Sequence, residues 1–197
     1  MNAPRPTTYV VRPPRGGETL GAARRLFLMS AQPSAVWPQQ RQLETMGVKH
    51  LDAVVALEAA AYEFPWSRGN FVDSLATDYP AQVLFDANRT LIGYFVAMVG
   101  VNEWHLLNIT VAPAAQGRGH GCFMLDAMVA MCREQRAATL WLEVRHSNVR
   151  ARAVYARYGF TGIGVRRNYY PAAQSQREDA AVMRLLLDAS AAEPGAA

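Results

Sequence analysis

Val111-Ala112-Pro113-Ala114-Ala115-Gln116-Gly117-Arg118-Gly119-His120-Gly121 joins the end of an apolar strand to the start of an amphipathic helix through a glycine-rich turn. Backbone N–H groups at a helix start lack intrahelical partners and lie at the positive end of the helix dipole. Glycines let a phosphorylated ligand approach those groups closely. The stretch therefore predicts a phosphate cradle. A dinucleotide fingerprint needs glycine where Cys122 stands, and a Walker A loop needs Gly-Lys-Ser/Thr, so this sequence matches neither. A glycine-rich capped turn that holds no ligand is the plain alternative.

Outward from this stretch the apolar pattern predicts regular elements on both sides. Upstream, Trp104 to Val111 reads as a strand stopped by Pro113. Gln82 to Phe85 and Leu91 to Val99 read as strands joined by the turn residues Asp86-Ala87-Asn88-Arg89. Val48, Leu51, Val54, Val55 and Glu58 to Tyr62 predict a helix with one apolar face, broken at Phe64-Pro65-Trp66-Ser67. Ser67 is placed to cap a short helix through Phe71 and Leu75. Downstream, a helix from Gly119 to Gln135 presents Leu125, Met128, Val129 and Cys132 at helical spacing. Thr139 to Arg145 alternates: Leu140, Leu142 and Val144 face one way, Trp141, Glu143 and Arg145 the other. A helix from Ser147 or Asn148 to Tyr158 ends on Gly159, and Phe160–Val165 and Ala180–Leu187 complete the strands. Strands in a meander early and alternating with helices late predict an α/β domain with a mixed sheet flanked by helices.

That domain is expected over residues 45–188, between a flexible, proline- and arginine-rich extension (1–44) and a frayed alanine-rich tail (189–197). The net charge of +4 over 197 residues first suggests a polyanionic partner. Residues 1–45 hold six arginines against Glu18 and Glu44, which accounts for the whole excess. The domain itself is balanced and carries no recognisable nucleic-acid module, so no direct nucleic-acid partner is expected. Cys122 and Cys132 form neither a disulfide framework nor a zinc pattern, and no metal is expected. The longest apolar run, Leu91 to Val101, is too short to span a bilayer, and no export signal is complete, so a cytoplasmic location away from membranes is expected. The sequence leaves the oligomeric state open.

The spacing Gln-x-x-Gly-x-Gly at Gln116, Gly119 and Gly121 resembles the acetyl-CoA pyrophosphate loop of the GNAT acetyltransferases. Further blocks extend the likeness: Leu140-Trp141-Leu142-Glu143-Val144-Arg145, Ser147-Asn148, Val154-Tyr155-Ala156-Arg157-Tyr158-Gly159-Phe160, Arg166-Arg167-Asn168-Tyr169-Tyr170-Pro171 and Arg177-Glu178-Asp179-Ala180. With Phe64-Pro65-Trp66-Ser67 upstream, they resemble the bacterial ribosomal-protein-alanine N-acetyltransferases of the GNAT superfamily (the RimI type) over about Leu43 to Leu187. The resemblance implies the GNAT fold, with its mostly antiparallel sheet, and acetyl-CoA as co-substrate. It also implies direct transfer in a ternary complex to the N-terminal alanine of a ribosomal protein, the small-subunit protein S18. It makes Glu143 the proton acceptor and Tyr155 the proton donor. It sets the backbone of Ile109, Thr110 and Val111 on the pantetheine amides. Gly117, Arg118, Gly119, His120, Gly121 and Cys122 fall on the pyrophosphate, and Asn148 on the pantetheine or pyrophosphate arm.

The residues suit that chemistry. At pH 7 an α-amine costs about 1 kcal/mol to deprotonate and a lysine nearer ~5 kcal/mol, so a modest base serves a protein N-terminus. Glu143 lies in an otherwise apolar strand, where burial favours a carboxylate base; a solvated charge paired with Arg145 is the alternative. Tyr155 offers a phenolic proton to a departing thiolate, or else is a core aromatic at helical spacing with Tyr158. Asn148 also suits ordinary N-capping, and both roles can coexist. Cys122 and Cys132 lack a base and an orienter, which argues against an acyl-enzyme. Arg166 to Tyr170 lead into a loop over the acceptor, whose spacer Ala172 to Gln176 is longer than the Asp/Gly-containing one of the resembled family. Acetylation of another N-terminus, a lysine or a small amine, and a non-catalytic CoA-binding module, are the alternatives.

Overall fold

The computed structural model describes residues 41–187. Seven strands form one sheet in the order β1-β2-β3-β4-β5-β7-β6. They are β1 (Gln42–Thr45), β2 (Ala81–Phe85), β3 (Leu91–Gly100), β4 (Glu103–Val111), β5 (Thr139–Arg145), β6 (Thr161–Pro171) and β7 (Arg177–Leu186). Only β4 and β5 run parallel; every other neighbouring pair is antiparallel. Among the described residues, four α-helices flank the sheet: α1 (Leu51–Ala61), α2 (Arg68–Ala76), α3 (His120–Glu134) and α4 (Val149–Tyr158).

The two sheet faces bury separate cores. Leu51, Val54 and Leu57 of α1 and Phe71 of α2 cover Val83, Phe85, Tyr94 and Val96. Met124, Leu125, Met128 and Cys132 of α3 cover the other face, with Phe95, Trp104, Leu106, Leu140, Leu142 and Val144. The alternation read in β5 is realised residue by residue, because Leu140, Leu142 and Val144 are buried and their neighbours half-buried. Local caps fall where the sequence put them. The Ser67 oxygen accepts the Asn70 N–H and Asn70 Oδ1 accepts the Ser67 N–H at 2.9 Å. Asn148 Oδ1 accepts the Ala151 N–H at 3.1 Å, and Gly159 closes α4 at φ 116°. In the β2–β3 turn, Asp86 Oδ1 accepts the N–H groups of Asn88 (2.9 Å) and Thr90 (2.8 Å).

Two expectations need correction. The boundary at residue 44 falls inside β1, whose Gln42–Thr45 pair with Thr45-facing Gln82 through Phe85 of β2. Sheet pairing therefore reaches into the segment expected to be flexible; residues 1–40, and the tail from 188, lie outside the described residues. The strand expected to stop near Val165 runs on to Pro171. It survives the irregular Arg167-Asn168-Tyr169 stretch because Asn168 adopts φ 51° and its N–H reaches Asp179 Oδ1 at 2.8 Å, after which pairing resumes at Tyr170 and Glu178. No described helix is long and apolar enough to cross a membrane.

Candidate active site

The site begins where two parallel strands part. β4 and β5 pair only from Glu103 and Thr139 to Leu106 and Leu142. On the other side of β4, Val96 faces Asn108 and Ala97 faces Leu106, so Leu107 is an extra, unpaired residue. A bulge bends its strand, and this one lies one residue past the last β4–β5 pair. Beyond it the two strands splay, and a cleft of about 570 Å³ opens between the end of β4, the start of α3 and the face of α4.

Ile109, Val111, Gly117, Gly119, His120, Gly121, Cys122, Asn148 and Tyr155 line this cleft. Thr110 and Arg118 do not: the Thr110 side chain turns to the opposite sheet face, where it is 2% exposed. The glycine conformations explain the cradle. Gly117 and Gly119 hold φ of 80° and 77°, a region costly for residues with a Cβ. A Cβ on Gly121 would meet no atom within 4 Å and would stand in the open cleft. The first intrahelical bond of α3 runs from the Phe123 N–H to the Gly119 carbonyl at 3.0 Å. The amides of His120, Gly121 and Cys122 therefore have no helix partner and suit an anion. Among the described residues, no acidic one lines the cleft. The donor set thus fits a pyrophosphate.

His120 is 5% exposed, and its Nδ1 is buried without a partner. Burial, then the charges of Arg41 and Arg118, push its imidazole down, so it is neutral at pH 7. Tyr155 packs edge-on to Phe160, with 5.6 Å between ring centres. Burial raises its hydroxyl above the usual phenol range, and the group keeps its proton. That hydroxyl donates to no group among the described residues. Tyr155 thus packs as a core aromatic and lines the cleft at the same time.

Glu143 lies on the other face of the sheet, one residue past the last β4–β5 pair. Its partner is Arg166, 2.9 Å away, and not Arg145, the neighbour that the strand alternation suggested. The sheet order explains the change. Arg145 of β5 and Arg166 of β6 both stand opposite Ala180 of β7, so the long Arg166 side chain reaches across a small residue to the carboxylate. Arg145 turns away: Nη1 donates to the Pro171 carbonyl at 2.9 Å and to Glu178 Oε2 at 3.2 Å. Its guanidinium also lies between the Phe64 and Tyr170 rings, 5.6 and 4.6 Å from their centres. The Tyr170 hydroxyl donates to the Glu143 carbonyl at 3.0 Å, and burial raises its pKa as well. A basic and aromatic wall therefore stands beside the Glu143 carboxylate.

A second carboxylate escaped the sequence reading. Glu58 is 2% exposed, on the apolar stripe of α1 with Leu51 and Val54. Its Oε1 accepts the Trp66 N–H (3.0 Å) and Asn108 Nδ2 (3.1 Å); its Oε2 accepts the Tyr94 hydroxyl and Thr110 Oγ1 (3.3 Å). This cluster ties the chain after α1 to the bulged part of β4. Tyr62 continues it, with its hydroxyl 3.3 Å from the Ile109 carbonyl at the cleft. A charged residue on an apolar helical stripe was the signal available in the sequence.

Residues 51–160 match the family model described as the acetyltransferase (GNAT) family. A ribosomal protein bS18-alanine N-acetyltransferase of Haemophilus ducreyi is 32% identical over 145 residues, covering 74% of this chain and 99% of that protein. The Escherichia coli protein of the same name is 34% identical over 143 residues, 73% of this chain and 95% of the other. The crystal structure of the ribosomal-protein-S18-alanine N-acetyltransferase from Escherichia coli superposes with a TM-score of 0.69 over 75% of this chain and 94% of that one.

Proposed function

This chain belongs to the GNAT acetyltransferase family, and from that premise we propose that it acetylates the N-terminal alanine of ribosomal protein S18. GNAT acetyltransferases use acetyl-CoA as co-substrate. The observation that carries the reading is the pairing of two half-sites at the β4–β5 splay. An acid-free cradle of free amides lies on one side, with Tyr155. Glu143, with its arginine and tyrosine wall, lies on the other.

Within that reading, Glu143 takes a proton from the α-ammonium group, directly or through water. The neutral amine attacks the thioester carbonyl, the nitrogen gives up its second proton to water as the carbon–sulfur bond breaks, and Tyr155 donates its phenolic proton to the departing sulfur and is reprotonated from solvent. Arg166 orients the base. The amides of His120, Gly121 and Cys122 hold the pyrophosphate, with the backbone of Gly117, Arg118 and Gly119 closing the loop. Asn148 caps α4 and faces the same cleft. The backbone of Ile109, Thr110 and Val111 extends toward the pantetheine amides as a strand would. The reaction proceeds in the cytoplasm by direct transfer. Glu58 supports the acceptor side through Trp66 and is not needed as a base.

The test is turnover of acetyl-CoA with a peptide carrying the S18 N-terminus, against the same peptide already acetylated at its α-amine but retaining its lysines. Acetylation of the free α-amine alone is expected. Turnover of the blocked peptide at an equal rate would replace the reading with a lysine acetyltransferase.

A further inference from the structure

Arg150 is the second residue of α4, where the helix dipole presents positive charge and normally favours an acid. The first turn of α4 holds no acid, yet it carries both Arg150 and Arg152. Arg152 is satisfied by the His146 carbonyl, 3.0 Å from its Nη1. Arg150 pairs with no acidic side chain among the described residues. It donates instead from Nη1 to the neutral Gln116 Oε1 at 3.0 Å, while Gln116 Nε2 holds the Val111 carbonyl at 3.1 Å. Arg150 Nη2 lies 3.6 Å from a Cβ built on Gly117. Arg150 thus stands over the entrance of the phosphate loop, in the cleft lined by Arg157 and by His120 with its buried, unpartnered Nδ1. A guanidinium offers five N–H donors, and among the described residues a single one is engaged, by an uncharged amide.

We propose that Arg150 is a phosphate ligand of acetyl-CoA, held ready on Gln116 and transferred to a phosphate group when the co-substrate enters. A charged acceptor gives a stronger bond than the amide it replaces. The cation also repays its unfavourable place on the dipole only when an anion is present. Gln116 remains tied to Val111, so the loop keeps its shape when Arg150 leaves it. This inference rests on the acetyl-CoA reading above and adds a side-chain contact from a different element to the backbone cradle.

The test is calorimetric binding of CoA and of 3′-dephospho-CoA to the full chain and to Arg150→Gln and Arg150→Lys. Arg150→Gln is expected to weaken CoA about tenfold, the scale of one charge-assisted contact, with Arg150→Lys intermediate. The KM for acetyl-CoA should rise by a similar factor while the KM for the peptide stays level. If the ligand is the 3′-phosphate, the wild type loses the same factor on dephospho-CoA and the variant loses nothing more. If it is the pyrophosphate, Arg150→Gln weakens both ligands alike. Binding of both ligands to Arg150→Gln at wild-type affinity overturns the proposal. So does a loss matched by an equal rise in peptide KM and a lowered melting temperature, which marks a structural role. A wild-type chain that binds no CoA overturns the transferase reading itself.

Discussion

The two sides of the β4–β5 splay are built differently. On the α3 side the polar groups are main-chain amides at Gly117–Cys122, set by two left-handed glycines and a helix start. On the β6–β7 side most polar groups are side chains, cross-linked through Arg145–Glu178 and Arg166–Glu143, with the Asn168 main-chain N–H held by the Asp179 carboxylate. Backbone recognition suits a co-substrate that never varies, because it depends on conformation more than on residue identity. Side-chain recognition suits an acceptor, because each contact can be tuned by substitution. The difference teaches where change is tolerated: residue type matters more on the β6–β7 side, the proposed acceptor side, and backbone freedom more on the α3 side, the proposed cradle.

The largest effect that sharpens this contrast should come from the two proposed proton carriers. Glu143→Gln should lower kcat by ~10²–10³-fold, as loss of a general base does, with CoA affinity retained in calorimetry. Tyr155→Phe should lower kcat by ~10-fold or more, also in steady-state assays, with its melting temperature held. Near wild-type turnover in either variant removes that residue from the chemistry.

Next in size is Glu58→Ala. It removes the shared acceptor of four donors in a buried site, of which the Tyr94 and Thr110 hydroxyls can still bond each other, and should cost about 3 kcal/mol in urea unfolding. Because Glu58 carries Trp66, the surviving folded protein should show a raised peptide KM before any loss of CoA affinity. An equal loss of both would erase the division between the two sides.

Glu178 links the β6–β7 hairpin to the start of α4 through the Ser147 N–H, 2.6 Å from its Oε1. Burial pushes its carboxyl up, but the Ser147 and Arg145 bonds outweigh burial and hold it below the usual carboxylate value. A folded-state pKa below the unfolded one adds stability above the unfolded value, which is lost as pH falls through the folded value. Because solvent screens the pair, Glu178→Gln should cost no more than about 1 kcal/mol at pH 7, and urea midpoints of the two proteins should converge below about pH 4. A gap that persists in acid would show that the carboxylate charge is not the stabilising feature.

The smallest effect is expected on the cradle. Gly119→Ala must hold φ near 77° and should lose about 1 kcal/mol of stability. Its CoA affinity should fall with it, while the peptide KM is unchanged. An equal response of the peptide KM would join the two sides into one unit.

The same contrast divides what could be read before the fold was known. The glycine-rich turn is local: Gln116 to Cys122 form one turn and the start of one helix, so glycine spacing was enough to place it. The caps Ser67 and Asn148 and the left-handed Gly159 were legible for the same reason, since each acts within four residues. The Glu143–Arg166 pair was not, because it spans 23 residues and depends on β7 lying between β5 and β6. Strand alternation offered Arg145 instead, which shares the face but turns toward Glu178. The extent of β1 was hidden because a four-residue edge strand has too few positions to show a period, and pairing with β2 decides it.

The amino-acid order alone therefore determined the α/β class, the course of the elements from Leu51 to Tyr158, and the glycine-rich turn before α3, because helix periodicity, strand alternation and glycine turns act over a few residues. Tertiary structure alone decided the Leu107 bulge and the splay, the burial of Glu58 under four donors, the choice of Arg166 over Arg145, and the place of Arg150 over Gly117. Those depend on which strands become neighbours, and a carboxylate is paired by the group that the sheet brings to it, whatever stands beside it in the chain.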